Sequence, residues 1–184
     1  MLSAKKVADL VTLLRVFLGL GLVWLGLTQG ALGLNKAVWL MIIDWTADTV
    51  DGKIARREKE YYHTWIGDHD LEIDMTVSAG LLVYLITAGF VNVWLACIYL
   101  LFWTVVFWRW RKVRVLGMLS QAPIYGYFIW IALNRLPNVG IWIIVWMAIA
   151  IIITWPQFPQ QIVPGFLDGI REFIINRKEV GKDR

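Results

Sequence analysis

Cysteine and histidine are scarce in this sequence, and several classes of motif are missing. Cys97 is the only cysteine, so it forms no internal disulfide and we expect it to serve in packing. The two histidines, His63 and His69, lie in one polar loop, where a solvated side chain is commoner than a metal ligand. No linker, low-complexity tract, heptad repeat or nucleic-acid motif is present. We therefore expect one domain over residues 1–184 and no nucleic-acid partner.

Charge is absent from long stretches of the chain. Hydrophobic residues make up 59% of the sequence and twelve residues are Trp, which is more apolar than a soluble domain of this length. Apolar runs of membrane-spanning length separate the charged clusters, as in integral membrane proteins. The run 10–27 follows Lys5 and Lys6 but has no small-residue cleavage site, so we expect a span there and not a cleaved signal peptide.

The apolar runs predict an all-α, polytopic membrane bundle of six transmembrane helices with short loops. The predicted spans are 8–27, 35–56, 68–90, 92–107, 115–133 and 139–155. Pro123 is expected to kink the fifth helix and free a carbonyl. Amphipathic segments at 3–15 and 164–178 are expected to form a short N-terminal and a C-terminal interfacial helix.

Lys and Arg residues predict the orientation of these spans. With both termini in the cytoplasm, 16 of the 18 basic residues lie on the cytoplasmic side, and only Lys36 and Arg135 face outward. We therefore expect an integral protein of a prokaryotic cytoplasmic (inner) membrane, with both termini cytoplasmic.

Aspartates are concentrated in one segment, residues 44–74. Carboxylates beside membrane-length helices are costly, so a functional role is the default expectation. At about 100° per residue, Asp44, Asp48 and Asp51 fall on one side of the second helix. Asp70 and Asp74 are four residues apart and share a face of the third. Two facing helices would direct these carboxylates at one point, near the cytoplasmic face.

Several carboxylates cannot all stay ionised at one low-dielectric point without compensating cations, and hard oxygen ligands suit Mg²⁺ or Mn²⁺. Gly52 and Ala55 lie on the same side of the second helix and leave room for a bulky ligand, with Arg56 at the edge. Two further interpretations stay open from the residues alone. Acidic pairs also occur as solvated helix caps, and an acidic membrane face also serves as a proton or cation path in transporters.

These residues form the pattern D-x-x-D-G-x-x-A-R over 48–56, followed by D-x-x-x-D over 70–74. The pattern resembles the signature of the CDP-alcohol phosphatidyltransferase family, integral membrane enzymes of phospholipid synthesis. The family has a Gly where this chain has Trp65, and Gly67 comes two positions late. Asp70 is one position late, which a one-residue insertion in the loop 57–66 explains. The insertion does not explain the shorter step from Gly67 to Asp70.

The resemblance implies roles for individual residues. It implies a Mg²⁺ or Mn²⁺ site, with two metal ions, held by Asp48, Asp51, Asp70 and Asp74. It implies that Asp74 is the general base that takes the proton of the attacking alcohol. The cytidine and diphosphate of a CDP-linked lipid would bind near Asp48, Gly52, Ala55 and Arg56. Asp44 lies outside the signature. Its role stays open between lining the cavity, binding a water molecule and being protonated.

Two basic elements have a structural and a functional interpretation. Arg109, Arg111, Lys112 and Arg114 are either a topology signal or contacts for the lipid phosphate or the acceptor. Asp9, Thr12 and Arg15 resemble an N-x-x-T-x-x-R element of the family, with Asp replacing Asn. Arg15 would then support the site, or serve as a positive-inside anchor.

The implied reaction transfers a phosphatidyl group from a CDP-linked lipid such as CDP-diacylglycerol to the hydroxyl of a polar alcohol and releases CMP. Glycerol 3-phosphate is the expected acceptor, and inositol phosphate, serine, a second lipid and diacylglycerol with CDP-choline or CDP-ethanolamine stay open. The resemblance also implies that the protein is a homodimer and that membrane lipids are among its partners. One alternative is a non-catalytic relative that binds a CDP-lipid, because Gly67 is displaced from its place in the pattern and Met118 follows Gly117 where relatives carry lysines. A cation transporter is the second alternative.

Overall fold

The computed structural model describes residues 4–55, 70–110 and 114–155, together with 160 and 164; side chains are described within 10–50, 73–109 and 115–155. In these ranges the chain forms six α-helices and one 3₁₀ turn, and no strand. The helices are α1 (Ala4–Gln29), α2 (Leu34–Ala55), α3 (Asp70–Thr87), α4 (Val93–Trp110), α5 (Arg114–Arg135) and α6 (Pro137–Thr154), and the 3₁₀ turn is Gly30–Gly33.

The all-helical prediction is confirmed for the described residues, and each predicted span corresponds to one observed helix. Three apolar stretches are long enough to cross a membrane: Leu10–Val50, which covers most of α1 and α2, Val115–Arg135 and Pro137–Thr154. Two apolar helices are shorter, Ile73–Thr87 and Val93–Arg109. By length and composition, the chain is therefore compatible with a membrane protein.

The N-terminal amphipathic segment does not form a separate helix. From Ala4 onward it is the first part of α1, which runs without a break to Gln29. The predicted C-terminal interfacial helix, 164–178, lies outside the described residues except for position 164. The two histidines of the polar loop also lie outside them.

The third helix ends earlier than the predicted position 90. Gly89 has a φ of 73°, a left-handed conformation that glycine adopts without steric cost. Its N–H donates to the carbonyl of Ile86 at 3.0 Å, and the N–H of Phe90 donates to that of Leu85 at 2.9 Å. This is a Schellman motif, which satisfies the last carbonyls of α3 and turns the chain. Asn92 then caps α4, because its side-chain oxygen accepts the N–H of Trp94 at 2.8 Å.

Helix α1 packs between α2 and α3. The 3₁₀ turn, with Gly30 at a φ of 54°, folds α2 back antiparallel to α1. Helix α3 runs parallel to α1, and the two backbones touch. A Cβ placed on Gly80 would lie 2.5 Å from the carbonyl oxygen of Gly19, and one on Gly19 would lie 3.3 Å from the Cα of Val77. Small residues at such contacts let membrane helices approach closely.

The remaining helices complete the bundle around this pair. Helix α5 packs on α3 and α6, and α6 packs on α2. Pro123 lies inside α5, which continues through it from Arg114 to Arg135. The Tyr99 hydroxyl of α4 donates a hydrogen bond to the carbonyl of Ser120, three residues before this proline. A proline has no N–H to donate to the helix ladder, so the carbonyl of Leu119 loses its usual donor, and the hydroxyl of Tyr99 binds the carbonyl next to it.

Apolar side chains fill the space between α1, α2, α3 and α5. The largest fully buried side chains include Tyr84, Phe128, Leu22, Met41 and Leu81. The Arg15 end of α1, the end of α2 and the start of α3 therefore lie together at one end of this core.

Replacing Gly80 by Ala should destabilise the bundle, because the added methyl group meets backbone atoms of α1 that cannot rotate away. Overpacking of this kind costs about 1–3 kcal/mol. Gly126→Ala is the matched control, since nothing lies within 4 Å of its added Cβ. It should be neutral or stabilising by up to about 1 kcal/mol, the helix preference of Ala over Gly. Thermal unfolding in detergent compares the two, and equal Tm values would contradict the close contact.

Candidate active site

One buried guanidinium binds three carboxylates at the end of the bundle. Arg15 Nε donates to Asp44 Oδ1 at 3.0 Å, and its Nη1 donates to Asp48 Oδ1 at 2.8 Å. Its Nη2 donates to Asp74 Oδ1. Each nitrogen of the guanidinium therefore binds a different aspartate. We call these four residues the Arg15 cluster.

The helices explain why these side chains meet. Asp44 and Asp48 are one turn apart on α2 and point to the same side. Arg15 faces them because α1 and α2 are antiparallel and joined by a short turn. Asp74 comes from α3, whose backbone touches α1 at Gly19, one turn after Arg15. The glycine contact thus brings the third helix within reach of the guanidinium.

Exposure changes steeply across the cluster. The side chains of Arg15 and Asp44 are 3% and 1% exposed, whereas those of Asp74 and Asp48 are 29% and 47% exposed. The cluster therefore has a closed side at Asp44 and an open side at Asp48. A ligand from outside would reach the two more exposed carboxylates first.

The charges of the cluster do not balance. With all three carboxylates ionised, it carries two more negative charges than positive ones. Asp44 Oδ2 is buried and has no hydrogen-bond partner among the described residues. Buried polar atoms without partners are costly and rare, so stability alone does not account for this arrangement.

Aromatic residues next to Asp44 join α2 to α5 and α6. Trp45 meets Tyr125 edge to face, with ring centroids 5.8 Å apart, and lies 5.6 Å from the ring of Trp146. The Trp146 indole donates to the hydroxyl of Thr46 at 2.8 Å. These contacts hold the second half of α2 against its neighbours.

The structure brings together two of the four predicted metal ligands, Asp48 and Asp74, and places the other two on the backbone only. Asp51 lies one turn beyond Asp48 near the end of α2, and Asp70 is the first residue of α3, one turn before Asp74. Both positions lie at the same end of the bundle as the cluster. Their side chains are outside the described set.

The predicted nucleotide-binding residues also fall near this end. Gly52 and Ala55 belong to the last turn of α2, and Arg56 lies outside the described residues. Of the four basic residues predicted to contact the lipid phosphate or the acceptor, Arg109 is exposed near the end of α4 and Arg114 begins α5. Positions 111 and 112 lie outside the described residues, so the predicted phosphate contacts stay predictions.

In the described part of the chain, no three Asp, Glu, His or Cys side chains come close enough together to hold one metal ion. The three carboxylates of the cluster surround Arg15 instead. Their chemistry still fits a divalent cation, because the hard oxygen atoms of Asp48 and Asp74 lie on the open side.

Sequence reasoning underestimated Arg15 and Asp44. The sequence allows either a supporting or an anchoring role for Arg15, and the structure places it at the centre of the acidic group. Asp44 lies outside the motif, and the structure makes it the most buried member. The available signal is an arginine inside an apolar run, which in a membrane segment indicates an acidic partner.

Two adjoining cavities lie between α3, α4 and α5. One of about 500 Å³ is lined by apolar side chains that include Leu85, Leu95 and Phe102. The other, of about 180 Å³, is lined among others by Met75 and Ser78, beside and one turn beyond Asp74. Apolar space therefore extends from the neighbourhood of the cluster along the bundle.

The chain matches no protein family model, no curated protein and no solved structure in the comparisons that we made.

Removing the Arg15 side chain should strongly destabilise the protein, because three carboxylates would lose their common cation. Breaking a buried ion pair costs about 3–5 kcal/mol. Arg15→Met should therefore lower the Tm in detergent sharply. Arg15→Lys should have an intermediate effect, since an ammonium keeps the charge but cannot reach three carboxylates with a planar fork. Arg135→Met, at an exposed site, is the control. A wild-type Tm in the Arg15→Met variant would contradict the bridging role.

Proposed function

We propose that this protein transfers a phosphatidyl group from a CDP-linked lipid, such as CDP-diacylglycerol, to the hydroxyl of a polar alcohol and releases CMP. Glycerol 3-phosphate is the proposed acceptor. The proposal rests on the resemblance of residues 48–74 to the CDP-alcohol phosphatidyltransferases and on the geometry of the acidic residues.

One observation carries the proposal furthest. Asp48 and Asp74 belong to the two separate halves of the sequence pattern, and they bind the same guanidinium. The pattern requires its two halves to act at one place, and these residues come from different helices. Their convergence is what a shared active site needs, whereas solvated helix caps have no reason to converge.

The residues of the chain divide the work of the reaction. Asp74, partly exposed, is the proposed general base that accepts the proton of the attacking hydroxyl. Asp48, Gly52, Ala55 and Arg56 are proposed to hold the cytidine and diphosphate, where small residues allow the nucleotide to approach α2. The alcohol oxygen then forms a bond to the lipid-side phosphorus as the bond from that phosphorus to the CMP oxygen breaks.

Mg²⁺ or Mn²⁺ would be held by Asp48, Asp51, Asp70 and Asp74, as a pair of ions, and would neutralise charge on the diphosphate and on the leaving CMP. Asp48 and Asp74 fit this role because they are the more exposed carboxylates of the cluster and offer hard oxygen atoms. Basic side chains at 109, 111, 112 and 114 are proposed to contact the lipid phosphate or the acceptor.

We further propose that all six helices span a prokaryotic cytoplasmic membrane, with both termini in the cytoplasm and the active site near that face. Lys36 lies in the first turn of α2 and Arg135 ends α5, which supports this orientation, since both lie at the end of the bundle away from the cluster. The apolar cavities between α3, α4 and α5 are proposed to receive hydrocarbon of the lipid substrate. A homodimer is the proposed assembly.

The decisive experiment is CMP release by the purified protein. It is mixed with CDP-diacylglycerol, Mg²⁺ or Mn²⁺ and a panel of alcohols, with glycerol 3-phosphate first. Metal-dependent release of CMP with one acceptor would support the proposal and identify the product. Binding of the CDP-lipid without release would indicate a non-catalytic relative. Ion flux through reconstituted vesicles without any CMP would indicate a transporter.

Asp74→Asn should abolish CMP release while binding of CDP-diacylglycerol changes little. The amide keeps the size of the carboxyl group but cannot accept the proton of the alcohol. Radiolabelled lipid binding and CMP release are measured on the same preparation. Asn134→Ala is the control, because within the described part of the chain that exposed side chain binds only a carbonyl of its own helix, at Trp130. Unchanged turnover in the Asp74 variant would refute the base assignment.

A further inference from the structure

We propose that Asp44 is a positioning residue of this site, which acts through Arg15 to fix the two open carboxylates, Asp48 and Asp74. The inference rests on the proposed function, since it concerns how the site binds a divalent cation. Asp44 lies outside the sequence pattern that led to that proposal.

The geometry separates Asp44 from the other two carboxylates. It receives the Nε–H of Arg15 at 3.0 Å, while the two Nη groups bind Asp48 and Asp74. Because the guanidinium is planar and rigid, fixing its Nε side fixes the directions of both Nη groups. Asp44 therefore determines where the guanidinium presents its remaining donors.

Burial shows which end of the arrangement is fixed. Asp44 is 1% exposed and Arg15 3%, so this pair is closed to solvent. The other two partners of Arg15, Asp48 and Asp74, are 47% and 29% exposed. A closed Asp44 has no direct access to a substrate from outside. Its influence on a ligand is then carried by the guanidinium that it holds.

The unpartnered oxygen of Asp44 supports a role beyond stability. Asp44 Oδ2 is buried without a hydrogen-bond partner among the described residues, and an unsatisfied buried atom of this kind costs free energy. A buried carboxylate that costs free energy is expected where its negative charge is needed to hold Arg15. Groups that orient metal ligands from behind typically change metal affinity by about 10–100-fold when they are mutated.

Mn²⁺ binding, measured from the free-ion signal in electron paramagnetic resonance, tests this without any turnover. Asp44→Asn should weaken Mn²⁺ binding by about tenfold or more. The amide is the same size as the carboxyl group, so the bundle should still fold. Thr49→Val is the matched control on α2, since among the described residues its hydroxyl binds only the carbonyl of Trp45, and it carries no charge. It should bind Mn²⁺ as the wild type does.

A double-mutant cycle shows whether Asp44 acts through Arg15. In an Arg15→Gln background, Asp44→Asn should change Mn²⁺ binding by less than about twofold, because the group that transmits its effect is absent. Arg15→Lys, which keeps the charge but not the fork, is the second background and the one to use if the Gln variant does not fold. A full effect of Asp44→Asn in these backgrounds would overturn the inference and indicate a direct effect of its charge.

The outcomes separate this inference from the proposed function. A tenfold loss of Mn²⁺ binding in Asp44→Asn with no CMP release by the wild type would retain the positioning role and reject the transferase. CMP release by the wild type, with Mn²⁺ binding unchanged in Asp44→Asn, would do the opposite. A lowered Tm with unchanged Mn²⁺ affinity would reduce Asp44 to a structural residue.

Discussion

The contact of one buried guanidinium with three carboxylates is the constraint on which this structure depends. A charge as deeply buried as that of Arg15 is tolerated only when its donors are satisfied by acceptors that share the desolvated space. Here the three acceptors come from α2 and α3, so the same contacts that satisfy the arginine tie three helices together at one end. Helix α3 is then limited to positions in which Asp74 reaches Arg15, and the two halves of the acidic segment are held at one place.

This ionic contact is possible because glycines remove the side chains that would keep α1 and α3 apart. A Cβ on Gly80 would lie only 2.5 Å from the carbonyl oxygen of Gly19, so any larger residue would push α3 away. Gly19 is one turn from Arg15, which makes the close approach and the ion pair parts of one interface. The glycine contact lets α1 and α3 lie close together, and the ionic contact fixes how the two helices are aligned along their axes.

Sequence reasoning predicted the helices well and the site only in part, for physical reasons. Long apolar runs bounded by charge identify long helices, so the helix limits agree within a few residues, including at α3, where Gly89 stops the helix before the predicted position 90. The face shared by Asp44, Asp48 and Asp51 follows from helical spacing alone. The partner that those carboxylates face does not, because it depends on how α1 is rotated and how closely it packs. For the same reason, spacing alone leaves Arg15 ambiguous between anchor and site residue and does not predict the contact of Gly19 with Gly80.

The gradient of exposure within the cluster relates the fold to the proposed chemistry. A site that must bind a charged nucleotide and a divalent cation needs carboxylates that water and ligands can reach, but reachable side chains are mobile unless something holds them. Asp48 and Asp74 are reachable, and Arg15 holds both from the closed side. Arg15 in turn is held by Asp44, which solvent does not reach. Preorganisation of this kind lowers the cost of ordering the site when a ligand binds. The buried pair and the open pair thus have different tasks, and variants on the two sides should fail in different ways.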